Sequence, residues 1–209
     1  MRTVYPEFWW KIDRVSGQDA PEPTIYLTFD DGPIPDVTEF VLEQLDKYAA
    51  QATFFCIGDN VRKHRNVLYQ VLEAGHMVGN HTYNHLNGWK TDDARYLENI
   101  QNCQDELRVE TALFRPPYGR IKKSQAAEVM EHYSVIMWDV LTGDFNQSQP
   151  ADFCLRKTIQ HTEPGSIVVF HDSLKAWPTM RYVLPRMLAY FSERGYSFRA
   201  VPQPVYAGY

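Results

Sequence analysis

The chain has 209 residues, of which 44% are hydrophobic and 22% are charged, and its formal net charge is −5 at pH 7. This length allows one domain with a sizeable hydrophobic core. The negative charge argues against nucleic acid or an anionic membrane as the main partner. No apolar run approaches the ~20 residues of a membrane span. The cysteines, Cys56, Cys103 and Cys154, are odd in number and lack Cys-x-x-Cys spacing, so no disulfide framework is predicted. Cys56 lies in an apolar run and Cys103 in a helical pattern, and both are predicted to be small buried side chains.

Residues 1–23 are predicted to form a lead-in arm that ends in a polar, proline-rich segment, 18–23. The arm lacks the apolar core, about 7–15 residues long, of a secretory signal peptide. Its aromatic run, Phe8-Trp9-Trp10, is interpreted as a packed arm rather than a membrane anchor. A cytoplasmic location is therefore the default expectation, with export left open. The sequence does not predict the oligomeric state.

From residue 24 onward, short apolar runs alternate with segments of helical periodicity. The predicted strands are 25–29, 52–57, 76–79, 112–114, 134–138, 166–170 and 197–201, and the predicted helices are 36–48, 60–74, 92–108, 123–132, 151–161 and 178–194. This alternation indicates a parallel sheet with right-handed crossovers. About seven units are too few for an eightfold barrel, which typically needs ~250 residues. We therefore expect an α/β fold, a distorted (β/α)7-type barrel, forming a single domain over residues 24–209.

Polar side chains that suit catalysis follow five of the predicted strands. Asp30 and Asp31 follow the first strand and precede the Gly32-Pro33 turn. The others are His81, His85, Arg115, Asp139, Asp144, His171 and Asp172. Because the carboxyl ends of barrel strands meet on one face, we expect all of these side chains to converge there. An isolated Asp-Asp-Gly would more simply be a turn or a helix cap, but here the other strand ends supply partners.

The segment His81-Thr82-Tyr83-Asn84-His85 places two imidazoles four residues apart, one above the other if the segment has helical curvature. Two histidines and a carboxylate from the Asp30-Asp31 pair would make a three-ligand site with open positions, as catalytic zinc requires. The alternative is a pair of surface or capping histidines. His76 lies inside an apolar strand and is predicted to be a core histidine.

The segment Arg115-Pro116-Pro117-Tyr118-Gly119 is predicted to form a rigid turn directly after a strand. Arg115 could keep a carboxylate ionised through a bidentate pair of hydrogen bonds. The backbone N–H of Tyr118 could face a ligand, as an oxyanion hole requires. The alternative is an ordinary surface turn.

His171 leaves the apolar run 166–170 and suits a general acid, with a pKa tuned by a carboxylate such as Asp144. The alternative for Asp144 is a solvated loop acid. Several apolar side chains near the same face could line a groove or simply belong to the core: Tyr118, Trp138, Phe145, Leu174 and Trp177.

Five ordered motifs together resemble the polysaccharide deacetylases, the nodulation-type (NodB-homology) or family 4 carbohydrate esterases. The motifs are Thr28 to Pro33, His81 to His85, Arg115 to Gly119, Trp138 to Asp144, and Ile167 to Asp172. The resemblance spans roughly residues 24–201 and is specific, since five motifs occur in order.

The resemblance implies a distorted barrel that removes N-acetyl, sometimes O-acetyl, groups from a carbohydrate substrate with a divalent metal. Zinc is the first choice of metal, with cobalt, nickel or manganese as alternatives. By motif position, the resemblance implies that Asp30 is the general base and that Asp31, His81 and His85 are the metal ligands. It implies that Arg115 orients Asp30 and that the Tyr118 backbone N–H donates to the oxyanion. His171 would be the acid, with a pKa tuned by Asp144. Substrate contacts are expected at Pro117, Tyr118, Trp138 and Phe145.

Three positions depart from the family pattern. Leu141 replaces the first aspartate of the fourth motif, Phe145 replaces its tryptophan, and Val169 replaces a leucine before the last motif. These changes leave the proposed acid, base and ligands in place but alter the groove. A same-fold hydrolase of a non-sugar amide or an O-acetyl group is therefore one alternative. A non-catalytic carbohydrate-binding protein is another, which the retention of both Asp30 and His171 argues against.

Overall fold

The computed structural model describes residues 5–12 and 23–203. Residues 1–4, 13–22 and 204–209, including most of the proline-rich segment of the predicted arm, lie outside the described ranges. The strands are β1 (Thr24–Asp30), β2 (Thr53–Cys56), β3 (Met77–Asn80), β4 (Leu113–Phe114), β5 (Ser134–Val135), β6 (Val140–Leu141), β7 (Ile167–His171) and β8 (Ser197–Arg199). The helices are α1 (Val37–Asp46), α2 (Gly58–Lys63), α3 (Arg65–Glu73), α4 (Asp93–Leu107), α5 (Lys123–Met130), α6 (Ala151–His161) and α7 (Trp177–Ser192), with short 3₁₀ turns at Gly88–Lys90 and Pro117–Gly119.

The eight strands form one sheet in which every strand pair is parallel. The strand order is β5-β4-β3-β2-β1-β7-β6, and β8 pairs with the first residues of β1. The sheet is curled into a half-barrel with the helices packed around it, which confirms the predicted α/β barrel-type fold in a single domain. Parallel strands connected by helices are covered on both faces, so they read as continuous apolar runs rather than as alternating patterns.

Strand β1 lies at the centre of this sheet, and all seven of its residues are buried. It pairs along 28–30 with β2 and along 26–30 with β7. The ring of Phe29 stacks between those of Phe54 and Phe170, at centroid distances of 5.0 and 5.7 Å. Asp30, which ends this strand, and Asp31, which follows it, are consequently anchored to a fully buried strand.

The described part of the predicted arm packs against the sheet. Trp9 donates its backbone N–H to the Val135 carbonyl at 2.9 Å and accepts from the Met137 N–H at 2.8 Å. Farther along, Lys11 forms a backbone bridge with Ser166. The arm therefore connects the chain that follows β5 with the chain that precedes β7. The aromatic packing predicted for this arm is observed, whereas the proposed domain boundary at residue 24 stays a prediction.

Two predicted elements differ from the structure. The single helix predicted over 60–74 is split into α2 and α3, because His64 adopts a non-helical backbone conformation with φ −128° and ψ 44°. The strand predicted over 134–138 is only two residues long in β5, and the short strand β6 that follows it was not predicted.

Two smaller expectations hold. The three cysteines are buried free thiols. His76 is buried, and its Nδ1 accepts a hydrogen bond from the Ala52 N–H at 3.3 Å. Burial lowers the pKa of His76 to about 4, so it is a neutral core histidine. Over the described ranges, none of the helices combines the length and the apolar character that crossing a bilayer requires.

Candidate active site

The carboxyl ends of several strands open into one pocket. Because all strands run in the same direction, the residues that end β1 and β7 and those that follow β3, β4 and β6 reach the same face of the sheet. The pocket is lined by most of the predicted site residues, namely Asp30, Asp31, His81, His85, Tyr118, Trp138, Phe145 and His171. The predicted convergence of the strand ends is therefore observed.

Asp31, His81 and His85 form a cluster that could hold a metal ion, since their ligand atoms all lie within 4.8 Å of one another. Asp31 Oδ1 lies 3.3 Å from His85 Nε2 and 3.8 Å from His81 Nε2. This oxygen is buried and has no hydrogen-bond partner among the described residues. A buried carboxylate oxygen without a partner is costly. A divalent cation between this oxygen and the two imidazole nitrogens would satisfy it, so the residues present fit a metal.

The protonation of His81 suits a ligand. Its side chain is 2% exposed, and its Nδ1 lies 2.7 Å from the Arg115 carbonyl oxygen. A carbonyl only accepts, so Nδ1 carries the hydrogen and the lone pair of Nε2 faces Asp31. Burial lowers the pKa of His81 to about 4 against the opposing effect of the nearby carboxylates, and burial also lowers the pKa of His85. Both imidazoles are thus neutral near pH 7, as metal ligands must be.

The segment that carries the two histidines is not helical, so the helical curvature considered from its spacing is wrong. Thr82 and His85 have left-handed backbones, with φ of 64° and 56°. The side-chain oxygen of Asn99, on α4, accepts hydrogen bonds from two consecutive backbone N–H groups of this segment, each at 2.9 Å. These bonds support a conformation that residues other than glycine rarely adopt. The two imidazoles still converge, with ring centroids 5.1 Å apart.

Asp30 is 4% exposed and is paired with the fully buried Arg115. Arg115 Nη1 donates to Asp30 Oδ1 at 2.7 Å and to Thr28 Oγ1 at 2.8 Å, while Nε and Nη2 donate to the carbonyls of Ile136 and Met137 at 3.0 and 2.9 Å. Burial alone would raise the pKa of Asp30, but the Arg115 guanidinium, together with His81 and His171, outweighs it and holds that pKa below its usual value. An ionised carboxylate therefore lines the pocket at neutral pH.

His171 is paired with Asp144, which is fully buried. Asp144 Oδ1 accepts from His171 Nδ1, and Asp144 Oδ2 accepts from the His171 backbone N–H, each at 2.8 Å. Burial opposes the charged imidazole, but the Asp144 carboxylate outweighs it and raises the pKa of His171 to about 9. The edge of the Phe145 ring packs against the imidazole at a centroid distance of 5.0 Å. The predicted pairing of Asp144 with the histidine is observed, and it leaves His171 protonated near pH 7.

Apolar side chains form much of the rim of the pocket. Tyr118 is 58% exposed, has a left-handed backbone with φ 61° and ψ 8°, and its ring lies 4.5 Å from that of His85. Pro116 lines the pocket, whereas Pro117, predicted to contact substrate, is buried and is not part of the lining. Leu141, the departure in the fourth motif, is 43% exposed and lines the pocket.

Three further residues near the site were not assigned roles from the sequence. Lys175 lines the pocket, and its Nζ lies 5.8 Å from the centroid of the Phe145 ring. Asn60, on α2, donates its side-chain amide to the Asp31 carbonyl at 2.7 Å. Asp172, which follows His171 directly, is fully buried beside the loop after β1. Only the position of Asp172 within the last motif offered a signal in the sequence.

One expected member of the site lies elsewhere. Asp139 was predicted to follow a strand and to reach the same face, but it precedes β6. Its Oδ2 accepts from the Ser166 hydroxyl and its Oδ1 from the Ile167 N–H, each at 2.8 Å. Since Ile167 is the first residue of β7, these bonds place Asp139 at the amino end of that strand, opposite the pocket. The unpredicted strand β6 is the physical reason for this error.

The sequence of residues 17–135, more than half of the chain, matches the profile of the family described as polysaccharide deacetylase. The chain belongs to the polysaccharide deacetylase family. This polysaccharide deacetylase is 32% identical over 187 residues to a peptidoglycan-N-acetylglucosamine deacetylase of Bacillus cereus, covering 87% of this chain and 88% of that protein. It is 29% identical over 201 residues to a chitooligosaccharide deacetylase of Azorhizobium caulinodans, covering 86% of this chain and 93% of that one.

A second Bacillus cereus protein with the same peptidoglycan deacetylase name is 32% identical over 154 residues, which cover 71% of this chain but only 56% of that relative's length. Among solved structures, the polysaccharide deacetylase is similar to a peptidoglycan N-acetylglucosamine deacetylase determined in complex with a naphthalenyl N-oxidanyl-benzamide. That similarity has a TM-score of 0.84 at 27% identity and covers 94% of this chain and 91% of the other. The fold and the family therefore agree.

Proposed function

We propose that this polysaccharide deacetylase hydrolyses the N-acetyl groups of an oligo- or polysaccharide that contains N-acetylglucosamine, of the peptidoglycan or chitooligosaccharide type. The proposal rests on one observation: the Asp30–Arg115 and His171–Asp144 pairs face one pocket that also contains the Asp31, His81 and His85 cluster. The names of the relatives support an acetylated sugar as the substrate class.

Asp31, His81 and His85 would hold a divalent metal. Two imidazole nitrogens and one carboxylate oxygen form a donor set that suits zinc in a catalytic site with an open position. Cobalt, nickel or manganese could occupy the same donors. When bound, such an ion polarises the acetamide carbonyl and favours ionisation of a water molecule.

The protein groups would handle the protons on the two sides of the reaction. Asp30, kept ionised by Arg115, takes the proton of the attacking water as general base. The Tyr118 backbone N–H donates to the oxygen that becomes negatively charged in the transition state. His171, kept protonated by Asp144, gives its proton to the leaving amine. Trp138 and Phe145 contact the sugar.

The electrostatics of the pocket support this division of roles. A base must be unprotonated and an acid protonated at the same pH, and the environments of Asp30 and His171 push their pKa values in opposite directions. Each of these two groups is hydrogen-bonded to its own buried, charged partner, Arg115 or Asp144, which favours its ionised form. A protein that only binds carbohydrate has no need of two such pairs, which argues against the non-catalytic alternative.

A second candidate substrate class is a non-sugar amide or an O-acetyl group. The observation that favours it is the apolar character of the rim, where Leu141, Phe145 and Val169 replace the residues usual in the family and all line the pocket. The reacting groups would act in the same way on such a substrate, since the fold does not determine the substrate.

The first experiment measures acetate released from N-acetylglucosamine oligomers and peptidoglycan fragments, with a chelator and with added Zn²⁺ or Co²⁺. We expect release that depends on the metal. If the metal-bound protein releases no acetate from any sugar but does release it from a simple amide or an O-acetyl ester, the second candidate is supported. Protein that binds no metal would refute the site.

Substitutions assign the roles. Asp30→Asn is expected to abolish turnover while metal remains bound, and substantial remaining activity would reject it as the base. His81→Ala is expected to lose both metal and activity, and a variant that still binds metal normally would refute the ligand set. His132→Ala is the matched control, because His132 is an exposed histidine outside the pocket.

A further inference from the structure

Asp172 is a buried carboxylate for which the mechanism above has no role. Its Oδ1 accepts from the Gly32 N–H at 2.9 Å, and its Oδ2 accepts from the Thr38 hydroxyl at 2.6 Å. Its own backbone N–H donates to the Asp30 carbonyl at 3.0 Å. Thus one residue at the end of β7 forms three hydrogen bonds to the end of β1 and to the elements that follow it.

These bonds converge on the loop that carries the proposed base and one metal ligand. The Thr38 hydroxyl, on α1, also accepts from the Ile34 N–H at 2.8 Å, so Asp172 and Thr38 together hold the backbone from Asp30 to Ile34. Within this loop Asp31 has φ 85°, a left-handed conformation that non-glycine residues rarely adopt and that persists only where the surroundings enforce it.

The contact between Asp172 and Gly32 leaves no room for a side chain. A Cβ atom added at Gly32 would lie 1.9 Å from Asp172 Oδ2. The carboxylate is therefore packed directly against the residue that follows Asp31. A small displacement of Asp172 would move the peptide that sets the direction of the Asp31 side chain.

We propose that Asp172 is a positioning residue, which fixes the Asp30–Ile34 loop so that the Asp31 carboxylate faces the imidazoles of His81 and His85. This inference rests on the proposed function, because it concerns the same metal site. The carboxyl group of Asp172 suits the role because its two oxygens form separate hydrogen bonds, one with the Gly32 N–H and one with the Thr38 hydroxyl. An asparagine there can keep the bond from the Gly32 N–H, but it can reach Thr38 only by donating its NH₂ group to the hydroxyl, whose own proton then loses its acceptor.

Asp139, which contacts the opposite end of β7, provides a matched control. Its two oxygens likewise accept from one hydroxyl, of Ser166, and one backbone N–H, of Ile167, but at the amino end of β7. Asp139→Asn therefore removes the same kind of hydrogen bond as Asp172→Asn, at a distance from the Asp31 loop. Comparison of the two variants therefore distinguishes a general loss of stability, which both would show, from weaker metal binding, which only Asp172→Asn would show.

The test uses the whole chain and titrates it with Co²⁺, whose visible absorption reports both affinity and ligand geometry. Urea denaturation of the same samples measures stability. We expect Asp172→Asn to weaken Co²⁺ binding about tenfold or more, the scale at which residues supporting metal ligands act, and to alter the absorption spectrum. Asp139→Asn is expected to bind Co²⁺ as the unmodified protein does.

Thr38 gives a second pair of variants with smaller changes. Thr38→Val keeps the shape of the side chain but removes the hydroxyl that Asp172 and Ile34 share, and we expect it to weaken Co²⁺ binding as well. Thr38→Ser is expected to restore most of that affinity. Equal Co²⁺ affinity in Thr38→Val and Thr38→Ser would overturn the inference, even if Asp172→Asn failed to fold.

The two proposals fail in different ways. If the unmodified protein binds Co²⁺ but releases no acetate, the proposed deacetylase reaction is refuted and the positioning role of Asp172 is not affected. If the unmodified protein is active and binds metal, but the Asp172→Asn and Asp139→Asn variants bind Co²⁺ equally, only the positioning role of Asp172 is refuted.

Discussion

Replacement of Arg115 by methionine tests how the proposed base is kept ionised. The guanidinium is fully buried and donates to Asp30, Thr28 and two backbone carbonyls. Its Cζ also lies 4.2 Å from the centroid of the Phe55 ring. Methionine retains most of the volume and the contact with the ring but none of the donors. Asp30 would then be a buried carboxylate without its cation.

The expected cost can be worked from these contacts. Breaking a buried ion pair by removing one partner typically costs about 3–5 kcal/mol of unfolding free energy. Part of this loss comes from the carbonyls of Ile136 and Met137, which lose their donor, and does not depend on pH. The remainder comes from the charge on Asp30 and vanishes when that carboxylate is protonated.

The pH dependence follows from the direction of each pKa. In the unmodified protein the pKa of folded Asp30 is lowered, so its stabilisation is present above the unfolded value of about 3.9 and is lost as pH falls through the folded value. In Arg115→Met burial, the largest single influence on the pKa of Asp30, is opposed only by His81 and His171, so we expect that pKa to rise. The variant therefore loses stability as pH rises from about 4 toward its raised value. The difference between the two proteins must widen with increasing pH.

Urea denaturation of both proteins across pH 4 to 8 measures this difference. Asp30→Asn supplies the control, because Arg115→Met should cost less in a protein that has no carboxylate at residue 30. A destabilisation by Arg115→Met that is constant across the pH range, and equal with and without the Asp30 carboxylate, would refute the reasoning.

Three further outcomes are expected. Asp144→Asn should lower the pKa of His171 and move the alkaline limb of kcat/KM, expected near pH 9 in the unmodified protein, to lower pH; an unmoved limb would exclude the pairing as the cause. Phe8→Ala should cost about 3–5 kcal/mol in urea denaturation, because Phe8 is 4% exposed, and should leave Co²⁺ affinity unchanged; a weaker metal site would show that the arm shapes the pocket. Leu141→Ala should change stability by less than about 0.5 kcal/mol and raise KM for the sugar with little change in kcat; unaltered kinetics would exclude Leu141 from the groove.

The sequence predicted the main elements and most of the site because both depend on local sequence patterns. Apolar runs such as 166–170 mark buried strands, and the aspartates and histidines that follow them must emerge at the carboxyl ends of a parallel sheet. The pairing of Asp144 with His171 was predicted from the converging strand ends, whereas the pairing of Arg115 with Asp30 was predicted from the family resemblance.

What the sequence did not predict depends on distant contacts. The two-residue strand β6 is too short to show periodicity, and it is formed by pairing with β7. Asp139 was consequently assigned to the wrong end of the sheet. The left-handed backbone of the His81–His85 segment is supported by hydrogen bonds that this segment donates to the Asn99 side chain, on a helix that starts several residues later. No local pattern reports such a bond.

The central position of β1 also has a consequence for synthesis. One of its neighbours is β7, and the Thr28 hydroxyl of β1 donates to the Val168 carbonyl of β7 across a sequence separation of 140 residues. At about 5–20 residues per second, a ribosome needs on the order of 10 s to make the intervening chain. Until then β1 has an unpaired edge and an uncovered apolar face, the features that favour association between strands. We expect chain fragments ending before residue 165 to aggregate, and the 209-residue chain to fold slowly for its size, because its native contacts join β1 with β7 and β8.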